Sequence, residues 1–374
     1  TILGLLDVMS GGAFSNATIF ALSIQPYINA SIIIQLLCIA IPSLERLSKE
    51  GGEEGRKKIA SITRYATVAI GLIQGFAYYM LIMNNNMLNA DAQGIWSAIV
   101  IILTFTSGSA LIMWLGEQIT EFGIGNGISM ILFASIISRP PTSLITTVRN
   151  ITAGKLQWWL ALLMLIGAIA MIVLIVYVND AERRIPVQYA KRVVGRKMYG
   201  GQSTHLPMKV NMSGVMPIIF AQSIASVPAT IVAFTGKTDG WVNTWFSNNS
   251  IPYAIIYFLL IIFFAYFYST IQFNPVEVAN NLKKNGGYIP GFRPGKPTSE
   301  FIQKVLNKIT LFGAIYLGII AIVPILISHF SNAAALTGLS LGGTSIIIVV
   351  GVALETVRAL EAQMLMRNYK GFLS

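Results

Sequence analysis

Charge is scarce in this sequence: only 11% of its 374 residues are Asp, Glu, Lys or Arg, whereas 54% are hydrophobic. Soluble domains carry about 25% charged residues. This chain therefore lacks the polar surface to cover itself in water, which excludes an ordinary soluble enzyme and any disordered protein. Cysteine is nearly absent, and the single Cys38 excludes both an intrachain disulfide framework and a cysteine metal site. Histidine is limited to His205, in a basic loop, and His329, near a helix end, and no Asp or Glu falls in the middle of an apolar run. An intramembrane enzyme or an ion-coupled pump needs ionisable groups at membrane depth. Ser107 and Ser109 flank Gly108 but have no embedded His or Lys to act as a base, so they read as close-packing positions. There is no Walker or dinucleotide glycine pattern, and nothing in the sequence asks for a cofactor.

What the sequence has is apolar length. Nine stretches approach the roughly 20 residues that a membrane helix needs: 19–43, 59–83, 95–115, 124–138, 157–178, 213–234, 252–273, 309–330 and 341–357. They do not alternate, so they predict helices rather than barrel strands. The fourth is short and opens on Gly123-Ile124-Gly125-Asn126-Gly127, which suits a helix facing protein or a cavity.

Of the 26 Lys and Arg, all but Arg139, Arg149, Lys155 and Lys237 lie in or beside loops 44–58, 179–212 and 274–308 and the C-terminal tail. The excess of positive charge makes that side cytoplasmic, with the C-terminus inside. Nine spans then put residue 1 outside. The chain starts at Thr1 with no signal-peptide pattern, so a first in-to-out helix is expected to precede it, giving ten in all. Residues 1–18 are apolar, too short to span, and broken at Ser10-Gly11-Gly12. They are expected to form a short half-helix and turn tucked into the bundle from outside, the alternative being a surface amphipathic helix or a disordered stub.

Two pairs of spans echo each other five helices apart. Pro26-Tyr27-Ile28 in the first matches Pro217-Ile218-Ile219 in the sixth, and Gly125-Asn126-Gly127-Ile128-Ser129 matches Gly342-Gly343-Thr344-Ser345-Ile346. An offset of five reverses membrane direction, which is the pattern of two inverted halves meeting at a central path; echoes this short also arise by chance. Loops 179–212 and 274–308 are far longer than the 2–8 residues usual between bundle helices. Positive charge beside anionic lipid accounts for them equally as well as a docking surface does. The Pro290-Gly291-Phe292-Arg293-Pro294-Gly295 turn, with Tyr288 beside it, favours docking.

The string from Phe20 through Pro26-Tyr27-Ile28 to Leu37 closely resembles the second helix of the SecY family of protein-conducting channels (SecY/Sec61). Gly116-Glu117-Gln118-Ile119-Thr120-Glu121 with the following Gly-Asn-Gly-Ile-Ser, Gln202-Ser203-Thr204-His205-Leu206-Pro207, Asn280-Asn281-Leu282-Lys283-Lys284 and Phe292-Arg293-Pro294-Gly295 extend the likeness along the chain. The resemblance implies an all-α polytopic membrane protein: two inverted five-helix halves, 1–156 and 157–374, around an hourglass pore. The family's first helix is missing here. It further implies that the chain translocates unfolded secretory polypeptides and releases hydrophobic segments sideways into lipid.

By motif, the pore ring falls on Ile28, Ile32, Ile128, Leu132, Ile219 and Ile348. The plug, within 3–17, falls on Leu3, Gly4, Leu5, Leu6, Asp7, Val8, Met9, Ser10, Gly11 and Gly12. Gln74 and Gln222 become lateral-gate residues, although ordinary interhelical glue explains each Gln as well. Arg293, with Lys191, Arg192, Arg196 and Lys197, becomes a contact for the SecA motor or the ribosome. SecE and SecG are the implied membrane subunits, signal sequences and nascent chains the substrate, and the bacterial inner membrane the location, with no sequence-specific nucleic-acid binding. The competing class is a small-solute secondary transporter on inverted repeats. It would need convergent mid-membrane charges, and the sequence lacks them.

Overall fold

The computed structural model describes residues 10–14, 16–49, 51–84, 88, 94–138, 140–154, 157–189, 192–194, 197–199, 203–235, 245, 250–330 and 343–370. Helix α1 (Gln25–Ala40) takes Pro26 in its first turn, where the missing N–H costs nothing. It stops at Ile41 because the following Pro42 drives that residue to an extended φ of −108° and ψ of 113°. The chain then bends by 106° into the short α2 (Pro42–Lys49), half-burying Leu44 and Leu47 and leaving Arg46 exposed. Helix α3 (Gly52–Asn84) runs back through the bundle, with Glu53 and Glu54 at the favourable positive end of its dipole.

Helix α4 (Ile95–Phe122) returns to the side from which α3 started, and α5 (Gly127–Ile137) and α6 (Pro140–Thr152) follow. Next comes α7 (Trp158–Asp180), whose Trp158, Trp159, Leu163, Ile166, Val173 and Tyr177 are all exposed. Such a helix is apolar on every side and needs lipid around it, with the tryptophans at its end suited to the interface. The second half continues with α8 (Met216–Thr235), α9 (Ile251–Gln272), α10 (Pro275–Lys284), α11 (Lys296–Phe330) and α12 (Gly343–Lys370). Each of the nine expected spans overlaps a helix, residues 341–342 of the last lying outside the described residues. Among the described residues five helices are long and apolar enough to cross a membrane, or six if the bent α1–α2 pair counts as one, while α5 and the apolar part of α8 are shorter.

The two basic loops are structured, which hydropathy does not reveal. Only Ala181 separates α7 from strand β1 (Glu182–Tyr189). The β2–β3 hairpin (Arg192–Val194, Lys197–Tyr199), β4 (Ser203–Lys209) and β5 (Gly287–Tyr288) complete the strands, with a sheet order β4-β1-β5. Two prolines sit in this sheet, in the pairs Pro186↔His205 and Arg184↔Pro207. These pairs are two positions apart and so belong to the same class. An antiparallel ladder carries proline without loss only where the pair exchanges no hydrogen bond. The same parity explains why β5 pairs only with Gln188 and Tyr189: the next residue of β1 facing that edge is Pro186, which has no N–H to give. Ile185, Val187 and Met208 of the sheet, Leu282 of α10, Ile289, and Ile302 and Leu306 of α11 close a small separate core beneath it.

The main core joins α1, α5, α8, α9, α11 and α12, with Ile175 of α7 buried against them. Helices α9 and α11 are bolted together: Tyr266 Oη donates to the Asn307 carbonyl at 3.2 Å, the Ser269 and Thr310 hydroxyls meet at 3.0 Å, and the Phe258 ring lies where a Cβ at Gly318 would be. Gly318→Ala is therefore expected to force the two helices apart at a cost of about 1–3 kcal/mol. Thermal unfolding in detergent should show a lowered midpoint, and an unchanged one would mean that the pair has slack.

Candidate functional site

Each expected waist residue is positioned by a local feature of its helix. Pro26 starts α1, and Ile28 and Ile32 follow one turn apart on one face. Asn126 caps α5, its side-chain oxygen accepting from the N–H of Ile128 at 3.0 Å and of Ser129 at 3.3 Å. The Thr120 hydroxyl accepts from the Gly127 N–H at 2.9 Å and donates to the Gly116 carbonyl at 2.8 Å, tying the end of α4 to the start of α5. The Gly-Asn-Gly-Ile-Ser motif is thus a helix start that aims Ile128 and Leu132. Ile219 lies in the first turn of α8 after Pro217, and Ile348 in the second turn of α12.

The structure brings all six, contributed by four helices, into the main apolar core. Ile28, Ile32, Leu132, Ile219 and Ile348 are between 2% and 6% exposed, and Ile128 is half-buried against them. Ile24, Ile136, Ile218 and Ile347 join the same cluster and were not singled out from the sequence. Among the described residues no Asp, Glu, Lys, Arg or His side chain is buried.

Around this cluster α1 packs along α3 and α8 along α9, and among the described residues α1 and α3 meet α8 along a thinner seam. Gln222 of α8 is 4% exposed and Gln74 of α3 half-buried. Their helices are neighbours, but no hydrogen bond joins the two amides among the described residues. The buried Oε1 of Gln25, in the first turn of α1, has no hydrogen-bond partner among the described residues. At the end of the bundle that carries the basic loops, Arg64 of α3 pairs with Glu117 of α4 at 2.9 Å, and Arg358 of α12 with Asp180 of α7 at 2.5 Å. Arg358 also donates to the Asn179 carbonyl at 3.3 Å, and the Asn211 amide to Asn179 Oδ1 at 2.9 Å. These contacts tie neighbouring helices together at one end and place no charge in the apolar cluster.

Of the expected plug, Leu3, Gly4, Leu5, Leu6, Asp7, Val8 and Met9 lie outside the described residues, and so does the expected half-helix. Ser10, Gly11 and Gly12 open a run of turns that leads towards α1, with Gly11 lying on Ser135 and Ser138 at the C-terminal end of α5.

Arg293 is exposed at the tip of a built turn. Gly291 and Gly295 take φ of 89° and 106°, the Thr298 hydroxyl donates to the Arg293 carbonyl at 2.8 Å, and Phe292 stacks on Phe301 at 4.2 Å. Tyr288 Oη donates to Gln188 Oε1 at 2.9 Å, joining the turn to the sheet. Arg192 and Lys197 lie on the two strands of the β2–β3 hairpin, while Lys191 and Arg196 lie outside the described residues.

The model of the SecY family matches residues 18–357. The chain is 46% identical over 387 residues to the protein translocase subunit SecY of Streptomyces coelicolor, an alignment covering 100% of this chain and 87% of that relative. Among solved structures it resembles one described as showing that the plug domain of SecY stabilises the closed state of the translocation channel and maintains a membrane seal. There the TM-score is 0.68 at 18% identity, over 97% of this chain and 90% of that one. It also resembles Sec61 in the canine ribosome-channel complex from the endoplasmic reticulum, with a TM-score of 0.62 at 17% identity over 97% and 90% of the two chains.

Proposed function

Because the chain belongs to the SecY family, and is a multi-pass protein-conducting channel rather than an enzyme, we propose that polypeptides cross it through the aliphatic waist formed by Ile28, Ile32, Ile128, Leu132, Ile219 and Ile348. The supporting observation is that four helices from both halves of the chain contribute to one apolar core. An ion losing its hydration shell there finds no carbonyl or carboxylate to replace it, so the closed waist excludes ions by dewetting. Flexible aliphatic side chains yield around an extended peptide of any sequence, and the peptide then acts as its own gasket.

The halves 1–156 and 157–374 are the inverted repeats on either side of this path, and residues 3–12 are the plug that seals it from outside. The seam between α1–α3 and α8–α9 is the lateral gate. Its thin contact costs little to part, and Gln74 and Gln222 are the polar positions that a hydrophobic signal sequence passes. The sheet with its Arg293 turn is the cytoplasmic docking platform for the SecA motor or the ribosome, with Lys191, Arg192, Arg196 and Lys197 as its charged flank. SecE and SecG complete the membrane complex in the bacterial inner membrane, and the C-terminus is cytoplasmic.

The test is a photoreactive residue at Ile219 while a secretory chain is stalled in transit, with the lipid-facing Leu163, 59% exposed on α7, as the control. Crosslinks to the chain from position 219 and none from 163 are expected. Absence of the crosslink from 219, with the stall confirmed, removes the waist assignment.

A further inference from the structure

Helix α6 is turned inside out. Leu144, Ile145 and Val148 are 54%, 61% and 60% exposed, and they fall within one stripe about 100° wide. The opposite side, which faces the protein, carries Ser143, Thr147 and Asn150, with Thr147 buried and the other two half-buried. A helix on a water-facing surface points its apolar side inward. This one points it outward, and among the described residues it lies along no other helix. Its threonines suit a place with little water. The Thr146 and Thr147 hydroxyls both donate to the Ser143 carbonyl at 2.8 Å, and the Thr152 hydroxyl donates to the Arg149 carbonyl at 2.9 Å.

The place of α6 in the fold indicates what covers its exposed side. It follows directly on α5 and leads through Gly154, with φ of 68°, to α7. Because α7 ends at the sheet, its start lies at the opposite end of the bundle. There Trp158 and Trp159 are exposed on a helix that is apolar on every side, and such tryptophans mark the level where hydrocarbon gives way to headgroups. The apolar side of α6 is thus joined, a few residues on, to a surface that needs lipid. Charge points the same way. No Asp or Glu occurs between Glu121 and Asp180, while Arg139, Arg149 and Lys155 all lie within or beside α6. Arg149 is exposed in its last turn.

We propose that α6 is an interfacial helix. It lies in the membrane surface at the end of the bundle opposite the sheet, with Leu144, Ile145 and Val148 among the upper acyl chains and Arg149 on anionic phospholipid headgroups. The assignment needs only a multi-pass membrane protein and does not depend on the waist. Its consequence concerns α5. Helix α6 joins α5, which carries Ile128 and Leu132, to the second half of the chain. A link resting on the lipid surface holds that end of α5 at a fixed depth and leaves it free to move in the membrane plane.

The experiment is nitroxide accessibility in the assembled translocase, in a Cys38→Ser background, with single labels at Ile145 and Val148. Both side chains are exposed, so labelling breaks no internal contact. His205, exposed on β4, is the aqueous control, and Leu163 on α7 the acyl-chain control. In bilayers of equal parts phosphatidylcholine and phosphatidylglycerol, both labels should meet dissolved oxygen in preference to a water-soluble nickel chelate, at a depth of about 5–10 Å. Arg149→Gln should raise the nickel-to-oxygen ratio at position 145 about fivefold in that bilayer, and leave it unchanged in phosphatidylcholine alone. Labels dominated by the nickel chelate would put α6 in water and overturn the proposal. Labels shielded from both reagents would mean that a protein subunit covers this side of the helix, and would overturn it equally. If Arg149→Gln acts alike in the two bilayers, the anionic headgroup contact is wrong.

Discussion

Ile348→Asn is expected to make the idle channel leak ions and to let it accept defective signal sequences. Ile348 is 2% exposed inside the main apolar core, and no charged side chain is buried among the described residues. An asparagine there leaves an amide in hydrocarbon without a partner, at a cost of about 1–3 kcal/mol. The closed state bears that cost, whereas a wetted waist relieves it. The closed–open balance therefore shifts toward open by roughly tenfold to a hundredfold, since 1.4 kcal/mol is a factor of ten. Ile28→Asn should act alike from the opposite half, while Ile348→Leu keeps the site apolar and should remain tight. The measurement is ion flux through channels in proteoliposomes without substrate, paired with export of a reporter bearing a weakened signal. Unchanged flux and unchanged stringency in Ile348→Asn would sink the idea that these residues form the barrier.

Arg293→Glu is expected to reduce translocation at least tenfold while leaving the channel folded and assembled. The guanidinium is exposed and makes no ion pair among the described residues, so no internal contact is lost. The turn is held by other groups: left-handed Gly291 and Gly295, the Thr298 hydroxyl on the Arg293 carbonyl, and the Phe292–Phe301 stack. Reversing the charge therefore leaves the turn's own contacts intact and probes the proposed docking role. A cationic side chain that meets phosphate or carboxylate in a forked geometry is poorly replaced by an ammonium, so Arg293→Lys should fall between the two. The assay compares protein import into inverted membrane vesicles with the yield and thermal midpoint of the purified complex. If Arg293→Glu is lost during assembly, the residue is structural and the docking role fails.

Much of the membrane bundle is legible in the sequence because apolar length and helix-start chemistry are local signals. Pro26 and Pro217 each fall in the first turn of a helix, and Asn126 caps α5 within the motif that drew attention to it. The ends of helices are less legible. Hydropathy puts the end of the third span at residue 115 and the start of the eighth at 309, whereas α4 continues to Phe122 through Glu117 and Glu121, and α11 begins at Lys296. Those turns are amphipathic and lie beyond the apolar core, where a hydropathy window sees nothing.

The sheet is hidden for a different reason. Pro186 and Pro207 argue against strands, yet both occupy ladder positions that have no N–H to supply. The bond from the Tyr78 hydroxyl to the Phe14 carbonyl joins residues 64 positions apart and leaves no periodic trace. Only the folded chain brings them together.

The single unbroken helix α11 also has a mechanical meaning. Its 35 residues make a rod of about 52 Å, well beyond the roughly 30 Å of a bilayer's hydrocarbon. The Arg293 turn is joined directly to one end. The rod is pinned to α9 at Asn307 and Thr310 and again where Phe258 meets Gly318, contacts spread over about 16 Å of its length. Pro324, where such a helix can bend, lies beyond the last of them. Held at both ends of that stretch, α9 and α11 move as one body, so a displacement of the turn is carried along two helices at once rather than lost in the flexing of one.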